Sequence, residues 1–403
     1  MTVECLRPGT AADRVDGEVP PHVAEPDSPQ AFAETLKHAS AGRLPTVIRG
    51  GGTKLTWGRP PAAVDLVVST TRLNRLIAHR HGDLTATVQA GMTLRDLNVA
   101  LRAERQWLPI DSAFDEATIG GIVATNDAGP SRHRNGTPRD LVIGITLALT
   151  DGRLVKAGGT VVKNVAGYDL GKLVSGSHGT LAGIVDVTFK LVPVPQSSAT
   201  LVASYADAAG IARDVAALDA SQIEAAAFDI RADEGQRMYQ LYLRIATSPA
   251  ARDAQIAAAR TLVSGDVTVL TDMAEHAAWT AQLETMSHGD ATVRFSWLPS
   301  RLPQVLALLG ELRRSGNVAV TFTGRVLGAG VARLTGETTA LAAAVGRLRA
   351  SADVGNVVLL RGSHDLKQRV DVWGPGRPSD RVARAVKDKL DPGGILNAGR
   401  GPI

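Results

Sequence analysis

The run Arg49-Gly50-Gly51-Gly52-Thr53-Lys54-Leu55 follows directly on the apolar stretch Thr46-Val47-Ile48. Consecutive glycines after a strand let backbone N–H groups converge into an anion-binding nest. Thr53 adds a hydroxyl and Lys54 a positive charge, so a diphosphate is the guest that suits this loop. A tight turn needing positive φ would use the same glycines. Neither a Walker-type phosphate loop nor the GxGxxG fingerprint occurs in the chain, so a dinucleotide site here needs another architecture. A second segment, Thr118-Ile119-Gly120-Gly121-Ile122-Val123-Ala124-Thr125-Asn126, is small enough for a flat ring or a pyrophosphate to lie against backbone. Close helix–sheet packing would select the same residues. A third segment, Lys163-Asn164-Val165-Ala166-Gly167-Tyr168-Asp169-Leu170, is followed by Ser175-Gly176-Ser177-His178-Gly179-Thr180-Leu181. Two glycine-bearing loops around one short helical stretch are costly for stability alone and suggest backbone wrapped around a ligand.

The elements that must position these loops can be read from periodicity. Ser28-Pro29 signals a helix start, Ala31, Phe32, Leu36 and Ala39 form its apolar stripe, and Gly42 stops it. Strands are expected at 46–49, 64–69, 84–88, 141–149, 154–157 and 184–192, with a turn at Asp151-Gly152. Gly91-Met92-Thr93 opens a helix with Leu94, Leu97 and Leu101 on one face. Residues 1–27 are Pro-rich and weakly patterned and read as an arm. After Pro195 glycine thins, with strands expected at 226–231, 240–245, 292–298, 318–322 and 357–360 and helices at 251–262, 302–314 and 338–349. This is an α+β layer, an antiparallel sheet with helices on one face. A charged amphipathic helix at 379–390 is stopped by Asp391-Pro392-Gly393-Gly394. The 403 residues thus divide into an arm (1–27), an α+β domain (28–195), a second α+β domain (196–375) and a C-terminal segment (376–403).

Composition excludes several functions. The net charge of +4 is spread over 44 basic and 40 acidic residues, and the longest basic cluster, Arg132-His133-Arg134, lacks interleaved aromatics, which argues against nucleic acid. A single cysteine, Cys5, cannot close an internal disulfide or hold an iron–sulfur cluster, and it fits a reducing cytoplasm. No apolar run approaches the ~18 residues of a membrane span, and no apolar leader is evident.

Taken together and in order, these segments resemble the FAD-linked oxidase family, the vanillyl-alcohol-oxidase/PCMH-type flavoproteins. The resemblance covers nearly all of the first 195 residues and resumes at Leu390-Asp391-Pro392-Gly393-Gly394-Ile395-Leu396-Asn397-Ala398-Gly399-Arg400. Ala128-Gly129-Pro130, Arg139-Asp140, segment 163–170 and the C-terminal tail look most like the branch formed by FAD-binding subunits of bacterial glycolate oxidases. The resemblance implies an α+β fold: a PCMH-type FAD-binding domain of two α+β subdomains, a cap with an antiparallel sheet, and a tail returning to the FAD domain. It implies that Gly50, Gly51, Gly52, Thr53 and Lys54 cradle the diphosphate. Pro109, Asp111, Thr118, Gly120 and Gly121 would line the flavin and ribityl side, with Asn126 beside them. Ser177, Gly179 and Ile184 would approach adenine and ring through backbone, and Asn397 would close the pocket. Members that tether flavin covalently place His or Cys in such loops. The glycine loop has neither, so non-covalent FAD is expected.

The same resemblance marks departures. Relatives that oxidise 2-hydroxy acids alone carry a His-rich Gly-Asp-Gly-Asn metal motif in the cap and a Glu-His-Gly motif near the C-terminus. Neither is present, no metal is expected, and the corresponding stretch Leu360-Arg361-Gly362-Ser363-His364-Asp365 lacks paired histidines. His178 stands where many relatives have Glu. No catalytic residue is assigned. His178 is a candidate proton shuttle, against a loop residue satisfied by backbone. Arg325 and Arg361 are candidate carboxylate-binding cations, against plain surface charges. The implied role is the FAD-binding subunit of a glycolate or related 2-hydroxy-acid oxidase or dehydrogenase. It would work beside a second flavin subunit and an iron–sulfur subunit, partners that could hold it at the inner membrane. The alternatives are a self-sufficient FAD-dependent oxidoreductase of a hydroxy acid, alcohol or sugar acid, and a structural partner with idle or absent flavin.

Overall fold

A computed structural model describes residues 6–161, 167–233, 239–286, 288–315 and 317–402. Residues 163–166 of the third glycine-bearing segment lie outside the described residues. The chain forms two units, one built from Met1–Ala128, Gly136–Val194 and Gly376–Ile403, the other from Gly129–Asn135 and Pro195–Pro375.

In the first unit the helix Pro29–Ala41 starts where its sequence directs: the Ser28 hydroxyl accepts the Ala31 N–H at 3.2 Å, and Pro29 occupies the first turn. Its stripe buries Phe32, Leu36 and Ala39 between two sheets, against Leu66 and Val68 of one and Ala148 and Val185 of the other. Among the described residues the first sheet has four strands, in the order Leu6–Pro8, His22–Ala24, Leu66–Ser69, Thr46–Arg49, the last three parallel. Residues 6–24, expected as an arm, therefore supply two strands. Each is three residues long, too short for alternation to show in the sequence. The second sheet is antiparallel, in the order Leu76–Arg80, Thr85–Gln89, Gly183–Lys190, Val142–Ala148, Leu154–Gly158.

The second unit is an antiparallel sheet of eight strands among the described residues, running from Asp266–Leu270 at one edge to Gly355–Arg361 at the other. Alternate strand residues such as Leu201, Ile230, Leu243, Phe322 and Leu334 share one core with the helices Ala208–Asp219, Pro249–Leu262, Leu302–Arg314 and Thr338–Ala350. The expectation of helices on one face only is corrected by Asp272–Glu284, whose Trp279 packs on the other face with Val202, Ala227 and Tyr242. That helix hid because part of what it buries is polar: Glu275 accepts hydrogen bonds from Ser198 and Thr200 at 2.5 and 2.8 Å. Among the described residues no helix is long and apolar enough to cross a membrane.

Candidate cofactor site

The strand Thr46–Arg49 delivers the glycine loop at its C-terminal end, where Arg49 is held by Asp13 at 2.8 Å. A Cβ on Gly50 would stand 1.9 Å from Thr118 Oγ1, and one on Gly51 would stand 1.8 Å from the Glu116 carbonyl oxygen. Only Gly52, at φ +75°, is in the left-handed region. Two of the three glycines are thus required by close approach rather than by φ, because the loop presses on the segment that starts the helix Ile119–Thr125. The helix in turn presses on Ala90: a Gly120 Cβ would meet the Ala90 Cβ at 2.8 Å, and the Gly120 N–H donates to the Ala90 carbonyl at 2.8 Å. Within segment 118–126, read as small and glycine-rich, Ile119–Thr125 is helical, and its small residues permit this approach.

The loop and helix border an open cleft. Its lining brings together Gly50, Gly51, Gly52, Thr53, Lys54, Thr118, Gly120, Gly121, Gly179, Ile184 and Asn397. Pro109, Asp111, Asn126 and Ser177 do not line it. Pro109 is buried between the core residues Leu108 and Ile110. Asp111 follows, half-buried. Asn126 ends the helix in the left-handed region at φ +47°, and its side-chain oxygen accepts the Arg139 N–H at 3.1 Å. The Ser177 carbonyl accepts the Thr180 hydroxyl at 2.7 Å within a turn. His178, the candidate proton shuttle, lines the cleft as well, and lining residues not singled out from sequence include Arg49, Thr70, Ala124, Thr125 and Arg400. Of these, Arg400 lies in the quoted tail motif, which was the signal that could have marked it.

Lys54 departs from its expected role. Its ammonium lies 2.8 Å from Asp127, with both side chains buried, and 5.6 and 5.5 Å from the ring centroids of Trp57 and Phe114. Its charge is neutralised inside the fold. Asp127 also accepts the Ser112 hydroxyl at 3.3 Å.

The C-terminal tail builds the remaining wall. The Thr46 N–H donates to the Ile395 carbonyl and the Asn397 N–H to the Thr46 carbonyl, both at 2.8 Å, so the tail runs parallel beside the strand that carries the loop. Lys387 ties the junction, bonding Asp391, the Thr180 carbonyl at 2.7 Å and the Leu396 carbonyl at 3.1 Å. Asp391 accepts the Ile395 and Leu396 N–H groups at 3.2 and 2.8 Å. Asn397 Nδ2 donates to the His178 carbonyl at 2.6 Å, which fixes its amide and leaves Oδ1 as a buried acceptor without a hydrogen-bond partner. The Thr118 hydroxyl is likewise buried and unpartnered. Arg400 Nη2 donates to the Leu55 and Trp57 carbonyls at 2.6 and 2.9 Å.

The three catalytic candidates are placed differently. His178 lines the cleft with a left-handed backbone, φ +54°, its N–H donating to the Ala124 carbonyl at 2.7 Å. Arg325 and Arg361 belong to the second unit. Arg325 is buried, not a surface charge; it lies 3.7 Å from the fully buried Asp229, its neighbour across the sheet. Arg361 donates to the Gly289 carbonyl at 2.6 Å, and burial pushes its guanidinium below the ordinary value. Among the described residues no group of three or more His, Cys, Asp or Glu is placed to hold a metal.

Residues 20–158 match the FAD binding domain family. Glycolate oxidase subunit GlcD of Bacillus subtilis is 35% identical over 206 residues, 51% of this chain and 44% of that protein. Glycolate oxidase subunit GlcE of Escherichia coli is 36% identical over 179 residues, 44% of this chain and 51% of that protein. A D-lactate dehydrogenase of Archaeoglobus fulgidus is 35% identical over 171 residues, 42% and 38% of the two chains. The matched stretch thus spans about half or less of these relatives. Among solved structures, an alkyldihydroxyacetonephosphate synthase superposes with a TM-score of 0.71 over 94% of this chain and 76% of that one, at 14% identity, a likeness of fold alone.

Proposed function

We propose that this chain, whose residues 20–158 match the FAD binding domain family, is a PCMH-type FAD-linked oxidoreductase whose cleft holds FAD without a covalent link. We further propose that the chain serves as the FAD-binding subunit of an oxidoreductase of a small 2-hydroxy acid, glycolate foremost. The observation that carries the first part is the convergence of the glycine loop, Thr118 and Asn397 on one cleft, with two buried polar atoms in its wall left unpartnered. Such atoms are costly unless a guest completes them. FAD fits them: the loop's closely approached backbone suits a diphosphate, Asn397 Oδ1 can accept from a ribityl hydroxyl or a ring N–H, and Thr118 can donate to a ring acceptor.

Bound flavin supplies a two-electron acceptor. The chain's own part is to seat it and keep water from it, through the close fit of Gly50 and Gly51 on 116–118 and the apolar wall of Val47, Ile48, Ala90 and Ile184. The glycine loop holds neither histidine nor cysteine, and the cleft's described lining holds no cysteine, which favours a dissociable cofactor. The substrate class and the subunit role are supported by relatives named as glycolate oxidase subunits and D-lactate dehydrogenases. A single cysteine leaves no internal iron–sulfur relay, so a second flavin subunit and an iron–sulfur subunit are the partners we propose.

Purified protein is expected to be yellow and to release FAD on acid precipitation. Mixed anaerobically with glycolate or D-lactate, its flavin is expected to stay oxidised until the partner subunits are added. Colour retained in the precipitate would overturn the non-covalent assignment. Rapid bleaching of the isolated chain would replace the subunit reading with a self-sufficient oxidoreductase, and a colourless chain that binds no added FAD would leave a structural partner.

A further inference from the structure

The sheet of the second unit carries a row of polar residues on the face that points away from its main core. Register aligns the row across the strands Val318–Arg325, Ala329–Gly336, Ala291–Ser296 and Gly355–Arg361: Thr321 pairs with Arg333, Arg333 with Thr292, and Thr292 with Arg361. Their chain neighbours Val320, Leu334 and Val293 lie in the core, so the row stands on the opposite face. Arg361 joins it through an irregularity in the pairing: Val293 pairs with Leu359, and Leu360 is the extra residue between. A bulge of this kind re-aims the side chain that follows it.

Two polar atoms in the row are buried and lack a hydrogen-bond partner, the Thr292 hydroxyl and Arg361 Nε. Thr292 is 0% exposed. Directly paired across antiparallel strands, the two residues have Cβ atoms about 5 Å apart, and both unpartnered atoms can donate. One acceptor between them would complete both and remove the cost of leaving them bare. The charge around that position is positive. Arg333 Nη2 donates to the Thr321 hydroxyl at 3.1 Å and Arg361 Nη2 to the Gly289 carbonyl at 2.6 Å, both neutral acceptors. Asp290 is the acidic group that acts on Arg361, but burial outweighs its pull, and its carboxylate accepts the Gly336 N–H at 3.0 Å. An anionic oxygen is a stronger acceptor than a carbonyl, so Arg361 gains by turning from Gly289 to an anion.

We propose that Arg361, Thr292 and Arg333 form an oxyanion site on the second unit, and that its guest is the carboxylate of a small hydroxy acid. The choice of guest rests on the proposed function; the site itself rests on the row.

The test is isothermal titration calorimetry of the full-length chain at constant ionic strength, with glycolate, inorganic phosphate and the neutral diol ethylene glycol as titrants. Glycolate is expected to bind and ethylene glycol to give no signal. Arg361→Gln should weaken glycolate roughly 10- to 100-fold, the worth of a charge-assisted hydrogen bond. Arg361→Lys should recover part of that loss, since the charge stays and the fork is gone. Thr292→Val keeps the shape of the side chain and deletes no hydrogen bond of the free protein. It should therefore unfold in urea at the wild-type midpoint while weakening glycolate roughly three- to tenfold. Phosphate bound in place of glycolate, with the same losses in Arg361→Gln and Thr292→Val, would keep the site and overturn the hydroxy acid as its guest. Glycolate binding unchanged in both variants overturns the site and leaves the two atoms to a buried water. A wild-type chain that binds none of the titrants overturns it as well. Flavin content, measured on the same samples, tests the cofactor reading separately.

Discussion

At Gly51 the first atom of any side chain would overlap the Glu116 carbonyl oxygen, and at Gly120 it would meet Ala90. At Gly52 there is room, with nothing nearer than 3.7 Å, but the backbone is left-handed. These are different constraints and predict different losses. Gly51→Val and Gly120→Val should each abolish FAD retention by moving a wall, with circular dichroism showing the rest of the fold intact. Gly52→Ala should cost only the left-handed penalty of about 1 kcal/mol, close to fivefold in FAD affinity by fluorescence titration. A Gly51→Val variant that keeps full flavin content would refute the contact reading. The triple glycine was legible in the sequence because its types are rare together. The pairing of Lys54 with Asp127 was not, because a lysine beside a glycine loop looks the same whether its partner is a phosphate or a carboxylate much further along the chain. Pro109, Asp111, Asn126 and Ser177 show the complementary limit: segments near the cleft can be recognised, but which residue of a segment faces it depends on tertiary geometry.

At the scale of elements, periodicity revealed those with an apolar stripe or clean alternation. The helix Pro29–Ala41 and the strand pair Val142–Ala148 and Leu154–Gly158 form where expected. It did not reveal the three-residue strands Leu6–Pro8 and His22–Ala24, whose place is set by charge. Asp13, 2% exposed, accepts from both Arg7 nitrogens at 2.7 and 2.8 Å and from Arg49 at 2.8 Å. Arg7 above all, then Arg49 and Thr10, hold its carboxyl well below the usual carboxylate range. A carboxylate with a depressed folded pKa stabilises fully above its unfolded value of about 4 and loses that contribution as pH falls below it toward the folded pKa. Asp13→Asn is therefore expected to cost about 3 kcal/mol near neutrality. The gap from wild type in urea unfolding should shrink as pH is lowered from 5 towards 3. A gap independent of pH across that range would mean the carboxylate charge is not what anchors these strands. At the other end of the chain, truncation before Leu390 removes Asn397, Arg400 and the residues paired with Thr46, and it should lower FAD affinity by at least tenfold.

At the scale of the whole molecule, the cleft is assembled from segments far apart in sequence: the loop after Thr46–Arg49, the helix Ile119–Thr125, residues 178–184 and the tail at 397–400. Each was legible separately, since each carries its own composition of glycine and small residues. Their convergence was legible only through resemblance to a family, because nothing local says that the tail returns to Thr46. That convergence has a thermodynamic consequence. A ligand that binds only the folded site stabilises it by RT ln(1 + [L]/Kd), about 2.7 kcal/mol at a hundredfold excess over Kd. The gain belongs to every segment that must be ordered for binding. Deuterium exchange of the stripped chain, with and without FAD, should therefore show protection rising together at 50–55, 118–125 and 395–400. The amides of Thr46 and Asn397, which bond the strand to the tail, should be slowed by similar factors. Protection confined to 50–55, with the tail exchanging at its ligand-free rate, would mean that the tail packs on the first unit without completing the site. The placement of Asn397 in the cofactor's wall would then fail.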